Sequence, residues 1–543
     1  MKKTIILLFA ILSLSLQGQD KIMVITDPHV LAQSLIEEGQ AFDDMMNGQR
    51  KMIDLSESAF MALIDTALAH KPSLLLIPGD LTKDSEMESH NVVLQQLKRL
   101  NTAGIKTLVM PGNHDINGSA YAYKGNQKIS VPKMTDSEWD AFYAPIHTSI
   151  TAQDNLSHSY VAEPLQGLTI LSIDGSHGTA GTGSLSDATL AWLLAQADSA
   201  NQKGNMIIAM CHWQLLEHVD KSAMASSSTR LKNADAIRDS LMAHQVHVLL
   251  TGHMHINGMT TYRDTTGLTQ DSIVEITTGA PITYPCPYRW LTIAQDRSSL
   301  SIETAYITSL PSHPDLNTYS REWMRQQAQL MLPELSLQLW SKTDQAFDMM
   351  ANDPSMSGIL GAGVIAMIKQ CLPQTDSAKI DLVERHLGST VIELYLLHSE
   401  ANEPERPQTD SIAQAMYKGM ESMMREVTDP KFNNIFLRDV QDLIVAAAVV
   451  KAKEPIQSMV EDVTHWESVL YSDRTDDLSA IFIVNEPRVT TSISNEHIRE
   501  EMMNKVYDIL GRPVASPQKG GVYIQKGKKV IHTTHYSVLC THY

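Results

Sequence analysis

The chain has 543 residues, with 62 Asp and Glu against 43 Lys and Arg for a formal net charge of −19, and 43% of it is apolar. That length leaves room for three to four domains of roughly 150 residues. The ordinary apolar and charged fractions exclude collagen, coiled-coil and disordered classes, and the negative balance argues against a broad basic face that grips nucleic-acid phosphates.

The chain opens on Lys2 and Lys3, an apolar run from Ile5 to Leu16, and then Gln17, Gly18 and Gln19. This is the layout of a secretory signal peptide over residues 1–19, so the mature chain is expected to start near Gln19 or Asp20 and to be exported, periplasmic or extracellular. The run is too short to span a bilayer, as is the longest later one, Leu443 to Val450, which predicts no transmembrane segment. The four cysteines, Cys211, Cys286, Cys371 and Cys540, are too scattered for a disulfide scaffold or a Cys-based zinc site, which leaves any metal to His, Asp and Asn.

From Asp20 to about Leu310 strands and helices alternate. Buried strands are predicted at Ile22 to Thr26, Leu74 to Ile77, Thr107 to Met110, Met206 to Met210 and Val246 to Leu250. Between them, Asp54 to His70 carries Leu55, Phe60, Ile64 and Leu68 on one helical stripe. Glu86 to Asn101 carries Val93, Leu97 and Leu100 ahead of Gly104, a helix stop, and Ser186 is placed to cap a further helix. Such alternation implies a layered α/β sandwich, in which ligand sites collect at the carboxyl ends of strands.

The five strand ends form a series: Asp27-Pro28-His29, Gly79-Asp80, Gly112-Asn113-His114-Asp115, Cys211-His212 and Gly252-His253-Met254-His255. Asp27 with His29, and His253 with His255, stand two apart; on an extended segment they point to one side and converge. Gly79, Gly112 and Gly252 allow sharp turns where these groups are presented. Taken singly, an Asp-Pro-His is commonly a turn and a lone His such as His212 a satisfied surface group. Five in order, each after a strand, are not explained that way.

This ordered set, D-x-H, G-D, G-N-H-D, H and G-H-x-H, resembles the calcineurin-like metallophosphoesterase family over roughly Ile22 to Ile307. The resemblance implies a four-layer α/β/β/α sandwich and two metal ions. Asp27, His29, Asp80 and His255 would hold one; Asp80, Asn113, His212 and His253 the other, with Asp80 bridging. Asn113 and His114 would contact the substrate. The stretches "RKMIDLSESAF", "GDLTKDSE", "LSHSYVAEP" and "TGAPITYPCPYR" are similar to a bacterial branch associated with cyclic-nucleotide and related phosphodiesters. That branch usually has Gly where this chain has Ser85, and a small or apolar pair where it has Trp213-Gln214.

The chemistry fits independently of the likeness. Two ions about 3.5 to 4 Å apart lower the pKa of a water and clamp phosphoryl oxygens, and mixed imidazole and oxygen donors suit Mn, Fe, Zn or Ni rather than Ca. His114 is the expected proton donor to the leaving group, oriented by Asp115 or Asp84. His158, His177, His218 and His247 have no partner spacing and read as structural. Cys211 reads as a buried strand residue facing away from His212. Neither a G-x-S-x-G elbow nor a phosphate-binding G-x-x-x-x-G-K-[ST] loop occurs.

Domains are expected at 20–310, at 311–495 and at 496–543. The second is helix-rich, with Met416, Met420, Met423 and Met424 on one stripe reading as core packing, and Ser399 to Gln408 as an exposed loop; it either caps the active-site mouth or stabilises the catalytic domain. The third shows short strands at Lys505 to Ile509, Gly521 to Gln525 and Lys528 to Ile531, with a hairpin at Lys526-Gly527. Its text resembles the carboxy-terminal β modules of exported Bacteroidetes proteins, some of which are read by secretion machinery; the other reading is a structural hairpin. The expected activity is hydrolysis of a small phosphate ester, a phosphodiester first. The alternatives are a phosphomonoesterase scavenging phosphate and a catalytically inactive surface binding protein.

Overall fold

The computed structural model describes residues 19–47, 49–177, 183–218, 230–263, 272–352, 370–401 and 410–432, with short pieces at 439, 441–442, 445–446, 471–473, 479–483, 506–508, 522–525, 528–532 and 537–539. The signal-peptide layout at residues 1–18, most of the loop expected at 399–408 and the Lys526-Gly527 turn lie outside the described residues.

In chain order the strands up to residue 486 are β1 (Asp20–Val24), β2 (Leu74–Pro78), β3 (Lys106–Met110), β4 (Tyr121–Lys124), β5 (Gln127–Ser130), β6 (Ile150–Gln153), β7 (Tyr160–Leu165), β8 (Leu168–Ile173), β9 (Met206–Cys211), β10 (Val248–Thr251), β11 (Gly258–Arg263), β12 (Ser272–Thr277), β13 (Pro287–Ile293), β14 (Ser299–Tyr306), β15 (Tyr471–Asp473) and β16 (Ser479–Ile483). The helices are α1 (Gln40–Met46), α2 (Ser56–His70), α3 (Met87–Thr102), α4 (Asp136–Tyr143), α5 (Asp187–Gln202), α6 (Ala234–Ala243), α7 (Leu316–Asn352), α8 (Asp376–Glu400) and α9 (Ser411–Phe432).

Two large sheets result, one ordered β16-β14-β13-β1-β2-β3 and one β15-β11-β12-β10-β9-β8-β7-β6, while β4 and β5 pair as a separate ribbon. β1, β2 and β3 run parallel, as do β8, β9, β10 and β12. Side-chain alternation explains the layering. Ile22 and Val24 of β1 join Leu74, Leu76 and Leu108 in a core shared with Ile170, Ile208 and Leu250 of the second sheet. Met23 and Ile25 turn the other way, to Phe60 and Leu63 of α2 and Val93 and Leu97 of α3. On the far side, Leu171, Ala209 and Leu249 meet Leu193 and Ala197 of α5 and Ile237 and Leu241 of α6. Both faces of each parallel strand are therefore dry, which is why these strands read as unbroken apolar runs. The four layers are α/β/β/α, as expected.

Local signals hold where they were read. Ser186 Oγ accepts from the Thr189 amide 3.1 Å away and starts α5. Gly104, after α3, has φ +85°. Cys211 is buried against the α5 and α6 layer, and the four methionines of α9 are all buried. Helices α7 and α8 bury Met324, Ala328, Leu332, Ile392 and Leu396 around Tyr284. Tyr284 donates its hydroxyl to Glu400 Oε1 at 2.7 Å. Among the described residues no helix is long and apolar enough to cross a membrane.

Residues 487–543 form a second compact unit. In it β17 (Val506–Asp508), β18 (Val522–Gln525), β19 (Lys528–His532) and β20 (Ser537–Leu539) make one antiparallel meander, with Gln525 opposite Lys528.

Candidate metal centre

The chain ends of β1, β2, β3, β9 and β10 bring all five motifs to one place. Asp27, His29, Asp80 and His255 each offer a ligand atom within 4.8 Å of the others, and Asp80 does so again with His212 and His253. Asp80 is thus common to two clusters. The Asn113 Oδ1 oxygen lies 3.0 Å from both His212 Nε2 and His253 Nδ1, so the second cluster also has four donors.

The distances distinguish metal ligation from hydrogen bonding. His29 Nε2 faces His255 Nε2 at 3.0 Å, and His212 Nε2 faces His253 Nδ1 at 3.2 Å. His29 Nε2 lies 3.4 Å and His212 Nε2 3.3 Å from Asp80 Oδ2, and His255 Nε2 is 3.4 Å from Asp27 Oδ1. Several lone-pair donors cannot all satisfy one another with protons. They are spaced like the edges of a tetrahedron around an ion with bonds near 2.0 Å, whose edge is about 3.3 Å. The residues present therefore fit two divalent ions. His212 Nδ1 donates to the Pro78 carbonyl at 3.0 Å, which turns Nε2 to the centre.

Charge agrees with this. Burial holds the imidazoles of His29 and His255 low and that of His253 at about 3. Burial also opposes charge on Asp80, yet His212, His114 and His29 keep its carboxyl well below the usual range. Against its own burial, His212 is raised to about 9 by Asp80 and Asp27. The negative field that lifts it is one that draws cations.

Convergence has a different cause from the pleat alternation expected. Asp27, His29, Asp80, His253 and His255 all have left-handed backbones, with φ of 51°, 41°, 51°, 69° and 61°. The segments past the strands are strings of tight turns rather than extended chain, and each such non-glycine residue stores about 1–3 kcal/mol. The glycines also divide their work. Gly79 has φ +89°, but Gly112 and Gly252 serve close approach. A Cβ on Gly112 would meet Asp80 Oδ1 at 2.2 Å, and one on Gly252 would meet Asp27 Oδ2 at 2.4 Å.

His114 donates its amide to Asp80 Oδ1 at 2.9 Å, and its Nδ1 meets Asp84 Oδ1 at 2.8 Å. Its ring is one-third exposed, leaving Nε2 to face a ligand. Asp84 orients it; Asp115 instead accepts from the Leu81, Thr82 and Gly112 amides and fixes the loops.

The two departures from the branch pattern have local explanations. Ser85 takes φ +71°, a backbone that suits Gly, and its Oγ donates to the His114 carbonyl and accepts from the Gly118 amide, both at 2.8 Å. Trp213 lies 4.0 Å from the His253 ring and donates Nε1 to Ser176 Oγ, while Gln214 donates to the Gly252 carbonyl.

One residue escaped the sequence reading. Lys51, inside the "RKMIDLSESAF" stretch, makes no hydrogen bond or ion pair among the described residues. It nevertheless feels the carboxylates of Asp80, Asp84 and Asp27, while burial holds its ammonium below the ordinary range. It belongs to no strand end, so the rule that found the others passed over it. Beside it, Arg50 donates to the Tyr395 hydroxyl of α8 at 3.2 Å.

Fold and ligand geometry together define a metallophosphoesterase scaffold with a two-cluster metal site. Residues 20–257 match the family described as calcineurin-like phosphoesterase. A dimetal phosphatase from Danio rerio is similar at 12% identity and TM-score 0.39, over 53% of this chain and 96% of that one. A purple acid phosphatase from yellow lupin (Lupinus luteus) seeds is similar at 14% identity and TM-score 0.32, over 53% of this chain and 51% of that one. Among proteins of curated function, none matches.

Proposed function

We propose that this chain is an exported phosphodiesterase that uses two divalent transition-metal ions, held by Asp27, His29, Asp80 and His255 and by Asp80, Asn113, His212 and His253. The observation that carries the reading is Asp80 standing in both ligand clusters. When bound, the ions supply an attacking water of lowered pKa and the positive charge that phosphoryl oxygens require. Asp80 holds the two charges together. His114, aligned by Asp84, donates a proton from Nε2 to the departing alkoxide, and Asn113 and His114 contact the substrate. Export rests on the layout of residues 1–19 alone.

The diester preference rests on the scarcity of free cations. Among the cations that flank the five motifs, Lys83 is paired with Asp84. Arg289 is fully buried, donating to Thr304 and to the Thr277 carbonyl. A monoester dianion therefore finds neither, whereas a diester carries one charge fewer. Lys51 is the observation that favours the second reading, a phosphomonoesterase, because it adds one unpaired cation beside the centre. The test is kcat/KM for bis(p-nitrophenyl) phosphate and a cyclic nucleotide against p-nitrophenyl phosphate at equal metal loading. Preference for the diesters is expected. A preference for the monoester moves the assignment to phosphatase, and activity indifferent to chelator removes both readings.

A further inference from the structure

A second group of metal-type ligands stands outside the centre and shares no side chain with it. Three segments build it: α4, with Asp136 in its first turn and Asp140 one turn on; the chain before β7, with His158; and the chain after β8, with Asp174, Ser176 and His177. His158 and His177 read as structural in the sequence because nothing in their spacing joins them. The fold brings them to a ring separation of 5.5 Å at 72°, with one ligand atom each from Asp136, His158 and His177 within 4.8 Å of one another.

All three contacts are of hydrogen-bond length, but only the one from His158 Nε2 to Asp136 Oδ1 has hydrogen-bond geometry. His177 Nδ1 is 3.0 Å from Asp136 Oδ1, yet this buried nitrogen has no hydrogen-bond partner. His158 Nε2 is 3.3 Å from the same oxygen, and its Nδ1 lies 3.1 Å from Asp140 Oδ1. Two imidazole nitrogens set about a single carboxylate oxygen at 3.0 and 3.3 Å repeat the edge lengths of the main centre. The surroundings are fixed as well. His158 is buried, and its amide donates to the buried Asp174 Oδ2 at 3.0 Å, while Asp174 Oδ1 accepts from the Ser176 amide at 2.8 Å.

We propose that Asp136, His158 and His177 hold a third divalent ion of the zinc type, with His158 supplying Nε2, His177 supplying Nδ1 and Asp140 flanking the far nitrogen of His158. Two imidazoles and a carboxylate suit zinc-like ions, and three side chains leave a tetrahedral position for water. Such an ion ties α4 to the chain after β8, where Ser176 accepts from Trp213.

The test is zinc alone, counted by elemental analysis on full-length protein after chelator stripping and reloading, in the wild type and in His177→Ala and Asp136→Asn. The variants should hold one equivalent fewer than the wild type. Asp136→Asn keeps the shape of the side chain, so it serves if His177→Ala does not fold. Anomalous diffraction at the zinc edge should place a peak between Asp136, His158 and His177. Equal zinc counts in wild type and folded variants, or no peak there in a zinc-loaded crystal, overturn the site. Because the readout is a difference at these residues, it stands or falls separately from the main centre.

Discussion

His114 touches the centre through its amide and reaches outward with its ring, so its two contributions can be separated. His114→Gln should leave metal content nearly unchanged while lowering kcat/KM by about 10²- to 10⁴-fold for an alkoxide leaving group, and much less for p-nitrophenolate. Equal losses for both, measured at matched metal loading, would assign the ring to positioning. Lys51 predicts the opposite pattern. Lys51→Ala removes an unpaired cation and should raise KM about 10-fold, the worth of one charged hydrogen bond, with kcat little changed. An unchanged KM would place Lys51 outside the substrate's reach. These two residues also mark what sequence alone gives. His114 was legible because its neighbour Asn113 stands at a strand end, where chain direction forces polar groups together. Lys51 was not, because its place near Asp80 comes from the fold of the segment before α2. His158 and His177 were hidden for the same reason: three separate loops meet there.

At the level of elements, β1, β2, β3, β9 and β10 announced themselves as unbroken apolar runs because helices cover one face and a second sheet the other. The sequence reading did not single out β11 to β14, which follow as two antiparallel pairs, one in each sheet, without intervening helices to punctuate them. The turns past the strands were legible in composition and not in mechanism. Their motifs converge through five left-handed residues, which no side-chain periodicity encodes. The glycines show the difference most directly. Gly112→Ala should abolish metal retention as thoroughly as Asp80→Ala, since its Cβ would meet the Asp80 carboxylate. Gly104→Ala has nothing within 4 Å of the added atom and should cost only the roughly 1–2 kcal/mol of its left-handed backbone, with metal content intact. Elemental analysis of the two variants checks this; equal metal content would mean that the Asp80 loop yields.

At the scale of the whole molecule, His90 contributes a sensitivity to acid. His90 is wholly buried, its Nδ1 facing the Tyr143 hydroxyl at 2.7 Å and its Nε2 the Asp115 carbonyl at 2.9 Å, and burial lowers its pKa to about 3. The folded state therefore keeps it neutral where the unfolded chain takes up a proton. Its contribution is complete above pH 6.5 and is lost as pH falls towards 3, by at most about 1.4 kcal/mol per unit. Denaturant midpoints measured from pH 7 to 4 should fall less steeply in His90→Gln than in the wild type; parallel curves would refute this.

The strands β15 and β16 carry a further consequence, for how the chain is made. β15 lies against β11 at the end of one sheet, β16 against β14 at the end of the other, and both come from residues 471–483. During synthesis, then, every motif of the metal centre leaves the ribosome more than 200 residues before the pieces that finish the sheet rims. A chain cut near residue 310 would keep every proposed metal ligand and expose two bare rows of backbone donors and acceptors, the surfaces through which sheets join other sheets.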